Sequence, residues 1–270
     1  MRPPLKWAGS KYRIIDNILA VLPQGRRLIE PFVGSGALFI NSEHERALIN
    51  DRNADLTNFY RTLKREGDDF IAESAKYFKI TNNTEDAYYR LRDKFNSSRE
   101  PSKKACLFLY LNKHGYNGLC RYNASGEWNV PFGRYAKPYF PATELRHALH
   151  RLRKTRIENR DFETIMNDAE PGDVIYCDPP YVPLSLTSNF TAYSAGGFSK
   201  DDQIRLAHVA AETARRGIPV VISNHATAFT ESIYSGSTLH RLSVRRLISC
   251  NGDKRENADE LLAVFKLPRK

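Results

Sequence analysis

Residues 178–181 (Asp-Pro-Pro-Tyr), directly after the apolar run 174–177, constrain the fold more than any other stretch of the chain. Gly172 and Asp173 mark the start of that run, so the pattern predicts a short buried strand. Two consecutive prolines end the strand, because neither can donate a ladder hydrogen bond. A carboxylate, a carbonyl and an aromatic ring then stand at the carboxyl edge of a sheet, where open α/β sheets bind ligands. By themselves, these four residues fit a stiff turn as well as a catalytic edge.

A strand, a glycine turn and a helix are predicted near the amino terminus. Residues 27–32 read as a strand, residues 33–36 (Val-Gly-Ser-Gly) as the turn, and Ala37 opens the helix. The glycines let the backbone approach a ligand closely. Phe39 replaces the third glycine of the dinucleotide fingerprint, which disfavours NAD and leaves a smaller adenosine-bearing ligand. A second strand, residues 47–51, ends at Asp51, an acid that can hold a ribose hydroxyl pair.

Residues 6–11 (Lys-Trp-Ala-Gly-Ser-Lys) place a Gly-Ser pair between two lysines. Backbone amides and ammonium groups can converge there on an anion or a carboxylate. The spacing is not that of a P-loop, which disfavours a triphosphate. A basic amino-terminal tail explains this segment equally well.

The net charge of +10 is concentrated in one part of the chain. Residues 101–160 hold twelve Lys and Arg and three acids, a net charge of +9. Tyrosines and other aromatic residues are interleaved with this charge, which is the mixture that a nucleic-acid surface needs. A solvated basic face is the simpler alternative, and the interleaving favours nucleic acid.

The remaining pattern alternates helices and strands. Residues 54 to about 113 read as helical, and the glycines and prolines of 112–141 predict a loop or hairpin whose polar side chains can read base edges. Further strands are predicted at 155–159 and 218–224, with an antiparallel pair between 239 and 265 and polar loops at 189–199 and 245–259. Helices are expected at 13–22, 143–154 and 200–216. Such alternation predicts a mostly parallel sheet.

The composition excludes several classes of protein. Hydrophobic residues make up 41% and charged residues 27% of the chain, typical of a globular protein. No apolar run approaches the roughly 18–20 residues of a membrane span. The start of the chain lacks the apolar core of a signal peptide. The four cysteines form no CxxC pair, so a disulfide framework and a zinc knuckle are both disfavoured and a reducing cytoplasm is expected.

Taken in order, these motifs resemble the S-adenosylmethionine-dependent DNA adenine-N6 methyltransferases of the Dam type, which modify GATC. The resemblance covers nearly the whole chain. Its matching segments are residues 6–11, 31–36, 115–123, 129–135, 178–181 and 222–225 and the region of Ser249, Asn251 and Gly252.

The resemblance implies an α/β fold with a Rossmann-like, mostly parallel, seven-stranded methyltransferase sheet and an antiparallel C-terminal hairpin. It implies a catalytic, S-adenosylmethionine-binding domain at residues 1–53 and 142–270, and an inserted target-recognition domain at 54–141. The expected partner is double-stranded DNA, bound by a monomer or weak dimer without a metal or a membrane. The expected location is the cytoplasm, with the nucleoid. A solitary role and a restriction-modification role both stay open.

The residue chemistry agrees with methylation of an adenine amino nitrogen. That nitrogen is a poor nucleophile because its lone pair is delocalised into the ring. The Asp178 carboxylate and the Pro179 carbonyl can accept its two hydrogens, and Pro180 keeps that carbonyl fixed. Tyr181 can stack on the base once it has left the duplex, with packing as its simpler role. These four residues are the predicted catalytic set.

The resemblance also implies binding residues. The implied cofactor residues are Trp7, Lys11, Phe32, Gly34, Gly36, Asp51, Asp161, Phe162 and Asp178. The implied DNA-binding residues are Lys6, Lys113, Tyr116, Asn117, Leu119, Arg121, Pro131, Arg134 and Tyr135.

One departure and two alternatives qualify this assignment. Lys113 and His114 stand where family members often carry Arg-Tyr. Because a lysine lacks the planar fork of arginine, a phosphate contact or the preference for flanking DNA sequence is expected to differ. An amino- or amide-nitrogen methyltransferase acting on RNA or protein shares the strand-edge motif. A catalytically inactive DNA-binding protein is the second alternative, disfavoured by the intact Gly34, Gly36, Asp51 and Asp178.

Overall fold

The structure is a computed structural model that describes residues 1–182, 197–245 and 257–266. Of the sequence predictions, most of the polar loop at 189–199, most of the loop at 245–259 and the region of Ser249, Asn251 and Gly252 lie outside these residues.

Seven strands in the described residues form one mixed sheet, in the order β3-β2-β1-β4-β5-β7-β6. The strands are β1 Arg27–Glu30, β2 Arg46–Asn50, β3 Thr155–Glu158, β4 Asp173–Cys177, β5 Val220–His225, β6 Thr238–Arg245 and β7 Asn257–Phe265. Strands β1 to β5 pair in parallel, whereas β7 runs antiparallel to both β5 and β6. The predicted sheet and its antiparallel C-terminal hairpin are confirmed.

Ten α-helices accompany this sheet in the described residues. They are α1 Ile15–Val21, α2 Ala37–Asn41, α3 Ala54–Glu66, α4 Asp68–Ala75, α5 Glu85–Ser97, α6 Pro101–His114, α7 Ala142–Leu152, α8 Phe162–Asn167, α9 Lys200–Arg215 and α10 Ala228–Ile233. The helix predicted at 13–22 is a 3-10 turn, Lys11–Ile14, followed by the shorter α1. The predicted helical region from 54 is four helices, broken first at Gly67, whose φ of +58° lies outside the helical region.

Two apolar layers bury the two faces of the sheet. Ile29, Ile175 and Ile222 pack against residues of α8 and α9 on one face. On the other face, Leu28 and Ile49 belong to a cluster that continues into the rings of α3, α5 and α6 and reaches the buried Trp128. The segment predicted as an inserted domain therefore shares a core with the sheet, and its boundaries at 54 and 141 stay a prediction.

Polar contacts fix the inserted helices to the edge of the sheet. Lys64 of α3 donates to the Thr155 carbonyl over 2.7 Å, and Arg61 donates to the Ile157 carbonyl over 3.1 Å. Both acceptors lie on β3, the terminal strand of the sheet, so α3 covers an edge that would otherwise offer unpaired carbonyls. Among the residues described, no helix combines the length and apolar character needed to cross a bilayer.

Replacing Gly36 by alanine is expected to destabilise the fold more than the same change at Gly126. Both glycines have a positive φ, +74° and +76°, so both variants lose about 1–2 kcal/mol from the left-handed conformation. A Cβ at Gly36 would lie 2.5 Å from the Phe39 ring and 2.9 Å from the Tyr60 hydroxyl, whereas at Gly126 it meets nothing within 4 Å. Urea unfolding should show an additional loss of about 1–3 kcal/mol for Gly36→Ala. Equal losses would contradict the packing argument.

Candidate active site

Asp178 follows β4 at the carboxyl edge of the sheet and is held by two side chains from other segments. Its Oδ1 lies 3.0 Å from Lys11 Nζ and accepts a hydrogen bond from Ser223 Oγ over 2.9 Å. The Lys11 side chain is 8% exposed and that of Asp178 is 22% exposed. Burial raises the pKa of Asp178, and the Lys11 ammonium and the Ser223 hydroxyl both act against that rise. A carboxylate with fixed donors is therefore present where the sequence predicted one.

Two buried amide side chains hold the backbone that follows Asp178. Gln203 of α9 donates to the Pro180 carbonyl over 2.7 Å, and the Val182 amide donates to Asn224 Oδ1 over 3.3 Å. Asn224 also donates to Gln203 Oε1 over 3.0 Å, which joins the two amides. Within the described part of the chain, the Pro179 carbonyl accepts no hydrogen bond. The strand edge is thus fixed on both sides of a carbonyl to which no described residue donates.

The Tyr181 ring is held from three directions. Its hydroxyl donates to Glu260 Oε2 of β7 over 3.1 Å, its edge packs against His225 at 4.6 Å between centroids, and Lys11 Nζ lies 4.3 Å from its centroid. Burial raises the pKa of Tyr181 well above its usual value, so the hydroxyl stays protonated at neutral pH. The ring lies beside Asp178, and its predicted stacking on a base stays a prediction.

The glycine turn after β1 is closed by the acid that follows β2. Gly34 donates its amide to Asp51 Oδ2 over 3.1 Å, and Asn53 donates its amide to Oδ1 over 2.9 Å. Burial raises the pKa of Asp51 to about 6, although both amides favour the ionised form. Gly34 has a φ of +49°, and a Cβ there would lie 2.9 Å from the indole nitrogen of Trp7. The turn therefore brings Trp7, Gly34 and Asp51 together, with Gly36 starting α2.

Three phenylalanines form a cluster next to this turn. Phe32 lies 5.4 Å from Phe162 and 5.6 Å from Phe198 between ring centroids. Asp161 caps α8 through the Glu163 amide and pairs with Arg205, whose guanidinium lies 4.2 Å from the Phe162 centroid. The predicted Phe32 and Phe162 thus lie together, and Asp161 is engaged at the helix start beside them.

Several residues around the site were absent from the sequence prediction of the site. They are Glu30, Phe198, Gln203, Ser223, Asn224 and Glu260. Glu30 is 2% exposed, its Oε1 has no hydrogen-bond partner among the described residues, and burial raises its pKa well above the usual range. Ser223 and Asn224 carry a local signal, because two polar residues end an otherwise apolar strand. Gln203 and Glu260 lie within regular elements and carry none.

The predicted DNA-binding residues fall into one connected group and two separate positions. Lys6 donates to the Lys113 carbonyl over 3.3 Å, and its ammonium lies 3.9 Å above the Tyr135 ring. The Tyr135 hydroxyl accepts from the Asn117 amide over 2.9 Å. The amide of the half-exposed Tyr116 donates to the carbonyl of the exposed Pro131 over 2.9 Å.

The two predicted guanine readers lie elsewhere on this tract. Arg121 is exposed and donates to the Asn129 side chain over 2.8 Å, two residues beyond the half-buried Leu119. Arg134 has a φ of +53° and pairs with Glu85 of α5 at 3.2 Å. Both guanidiniums therefore face solvent from a tract tied back to the helices.

Lys113 and His114, the departure from the family pattern, differ in their surroundings. Burial and the neighbouring Lys6 lower the pKa of Lys113 to about 8. The His114 ring stacks on Tyr110 at 4.0 Å between centroids, and burial lowers its pKa to about 4, so it is neutral at physiological pH. His114 therefore packs in the core, while Lys113 belongs to the group around Lys6.

A Rossmann-like sheet with a glycine turn after β1, an acid after β2 and Asp-Pro-Pro-Tyr after β4 defines the class of this protein as a methyltransferase. Residues 7–248 match the model of the D12 class N6 adenine-specific DNA methyltransferases. The DNA adenine methylase of Escherichia coli K12 is 46% identical over 262 residues, covering 97% of this chain and 94% of that protein.

Other relatives agree. The DNA adenine methylase of Serratia marcescens is 47% identical over 263 residues, covering 97% of each chain, and that of Vibrio cholerae O1 El Tor is 46% identical over 97% of this chain and 95% of its own. The C-terminal domain of precorrin-6Y C5,15-methyltransferase from Rhodobacter capsulatus aligns over 98% of this chain and 97% of its own, at 11% identity and a TM-score of 0.40, too weak a likeness to add to the assignment.

The chain belongs to the D12-class N6 adenine-specific DNA methyltransferase family. The predicted enzyme class, a DNA adenine-N6 methyltransferase, is confirmed.

Removing the Lys11 ammonium is expected to destabilise the protein through Asp178. At pH 8, Lys11→Met leaves a partly buried carboxylate without its cation. The substitution should therefore lower the free energy of unfolding more in the wild-type protein than in the Asp178→Asn variant. A double-mutant cycle by urea unfolding should give a coupling of about 1–3 kcal/mol. The exposed pair Lys154 and Glu45 provides the control, since its cycle should give less than about 1 kcal/mol. A coupling near zero at Lys11 and Asp178 would contradict this view of the site.

Proposed function

We propose that residues 178–181 are the catalytic edge of an enzyme that transfers a methyl group from S-adenosylmethionine to N6 of an adenine flipped out of duplex DNA, within GATC. The observation that carries the proposal is the state of Asp178: Oδ1 is taken by Lys11 and Ser223, while Oδ2 has no partner within the described residues. Among the described residues, neither this carboxylate oxygen nor the Pro179 carbonyl accepts a hydrogen bond, so the two together provide two acceptors. An exocyclic amino group has two hydrogens to donate.

The chain's own residues then act by positioning and hydrogen bonding. Asp178 and the Pro179 carbonyl accept the two amino hydrogens, which localises the nitrogen lone pair and orients it. Gln203 and Asn224 prevent the motif backbone from shifting when the base arrives. Tyr181, held by Glu260, offers its ring to the flipped base. Asp178 acts in its ionised form, and Lys11 and Ser223 favour that form despite burial.

The residues after β1 and β2 fit an adenosine-bearing cofactor. Because Gly34 lacks a Cβ, the backbone can approach a ligand beside Trp7, and Asp51 offers its ionised carboxylate to a hydroxyl pair. S-adenosylmethionine supplies an electrophilic methyl group when bound. The residues that would hold it are Trp7, Lys11, Phe32, Gly34, Gly36, Asp51, Asp161, Phe162 and Asp178.

Residues 54–141, together with Lys6, are proposed to read the DNA. The group around Lys6, Lys113 and Tyr135 supplies positive charge beside the exposed Tyr116, and Arg121 and Arg134 supply guanidiniums for guanine edges. Asn117, Leu119 and Pro131 complete the proposed set. GATC is the proposed site because the sequence motifs resemble those of the Dam type, which modifies GATC, and the relatives are DNA adenine methylases. Lys113 is expected to alter the preference for flanking sequence.

Methylated adenines in plasmid DNA treated with the purified protein and S-adenosylmethionine should all lie in GATC. Asp178→Ala should lower the single-turnover rate by at least about 10²–10³-fold, because it removes a preorganised acceptor. Asp201→Ala, an exposed acid at the start of α9, should leave the rate unchanged. Methylation at other sequences would overturn the specificity, and normal turnover by Asp178→Ala would overturn the catalytic assignment. Methyl transfer to RNA or protein but not to DNA would favour the alternative substrates.

The affinity for S-adenosylmethionine should fall as the pH drops through about 6. The pKa of Asp51 lies at about 6, so below that pH its carboxyl becomes protonated and accepts hydroxyl hydrogens less well. Equilibrium dialysis should show the Kd rising by up to about tenfold per pH unit below pH 6. Asp51→Asn should bind weakly and with a flat pH dependence, whereas the exposed Asp69→Asn should behave as the wild type. A steep dependence in Asp51→Asn would assign the effect to another group.

A further inference from the structure

Two hydroxyl groups behind Asp178 form a short buried chain with it. The Tyr176 hydroxyl of β4 lies 3.0 Å from Ser223 Oγ of β5, and Ser223 Oγ lies 2.9 Å from Asp178 Oδ1. Tyr176 is 2% exposed and Ser223 is fully buried. The neighbouring residues Cys177 and Ile222 pair in the sheet, so the strands themselves bring Ser223 next to Asp178.

The direction of this hydrogen-bond chain follows from counting donors. Ser223 has one hydroxyl hydrogen and, among the described residues, two acceptors in hydrogen-bond geometry, Asp178 Oδ1 at 2.9 Å and the Cys177 carbonyl at 3.4 Å. Tyr176 has one hydrogen and donates it to Ser223, which occupies a lone pair of that oxygen. The Ser223 hydrogen is then directed to its shorter and charged acceptor, Asp178.

We propose that Ser223, oriented by Tyr176, is a positioning residue that holds Asp178 by Oδ1 and thereby keeps Oδ2 turned toward the substrate amino group. The inference rests on the proposed catalytic role of Asp178. Lys11 binds the same oxygen from the side of the amino-terminal segment, so Oδ1 is fixed from two directions. Without Ser223, the carboxylate can rotate about its Cβ–Cγ bond around a single contact, and either oxygen can turn toward the substrate.

The Ser223 hydroxyl also affects the ionisation of Asp178, whose pKa depends on the charged groups around it. Burial and the negative charge of Glu260 raise the pKa of Asp178, while Lys11 and Ser223 lower it. The Asp178 charge adds to burial in raising the pKa of Glu30, and the Tyr181 and Tyr176 hydroxyls stay protonated because burial raises the pKa of both well above the usual value. Removing the Ser223 donor therefore raises the pKa of Asp178 further, so a higher pH is needed to ionise it.

The test is the pH profile of single-turnover methylation of duplex DNA by Ser223→Ala and Tyr176→Phe, with thermal unfolding of each variant in parallel. Ser223→Ala should shift the acid limb of the profile to higher pH by about 0.5–1 unit. It should also lower the plateau rate by about tenfold. Tyr176→Phe should move the limb in the same direction by less. The KM for DNA and the Kd for S-adenosylmethionine should change by less than about twofold, because both residues are buried behind Asp178. Ser223→Thr, which keeps a hydroxyl, should restore the limb.

Thr213→Val is the matched control. Thr213 is equally buried, and its hydroxyl has no partner in the described structure and lies outside the chain to Asp178. Its acid limb should stay at the wild-type position whatever its stability. If the acid limbs of Ser223→Ala and Tyr176→Phe both lie at the wild-type pH while Asp178→Ala is still inactive, the positioning role of Ser223 is overturned and the proposed function is not. Normal methylation by Asp178→Ala would overturn the proposed function itself.

Discussion

Burying a carboxylate costs desolvation free energy unless hydrogen-bond donors and a cation surround it. The arrangement around Asp178 meets that requirement. The donors come from segments far apart in the chain: Lys11 from the amino-terminal turn and Ser223 from β5. The site therefore depends on β4 lying between β1 and β5, because this order brings both partners to one strand end. The same order lets α9, through Gln203, hold the backbone just beyond Asp178.

Much of this architecture can be predicted from local sequence. Apolar strands, glycine turns and paired prolines act through their immediate neighbours, so β1, β2, β4 and the position of Asp178 follow from short stretches. The C-terminal hairpin is likewise predicted, from two strand-like runs on either side of a polar loop. Local rules do not reveal which side chain satisfies which group across the sheet. Gln203 looks like any polar residue of a surface helix, yet it is 1% exposed and donates to Pro180.

The inserted region shows the same division between local and long-range information. Its helices and its glycine-rich tract are predictable, but the way the tract folds back is not. Asn112 illustrates the difference: it is fully buried at the end of α6, where its side chain accepts from the Lys6 amide at 2.9 Å and donates to the Lys6 carbonyl at 2.7 Å. These two bonds imitate one rung of a β-ladder. They place the amino-terminal segment against the inserted helices, although more than a hundred residues separate the partners.

This pairing gives the segment from Lys6 to Lys11 the character of a spacer of fixed length. Its first lysine is fixed to the inserted helices by Asn112, and its last is fixed to the proposed catalytic edge by Asp178. The segment between them contains a turn, in which the Ser10 amide donates to the Trp7 carbonyl over 3.2 Å, so the span between the two anchors depends on the number of residues in this turned segment. The distance from the proposed DNA-facing lysine to the proposed catalytic carboxylate is therefore set by chain length as well as by core packing. An added residue in this segment would leave the sheet intact and yet bring the two lysines out of register.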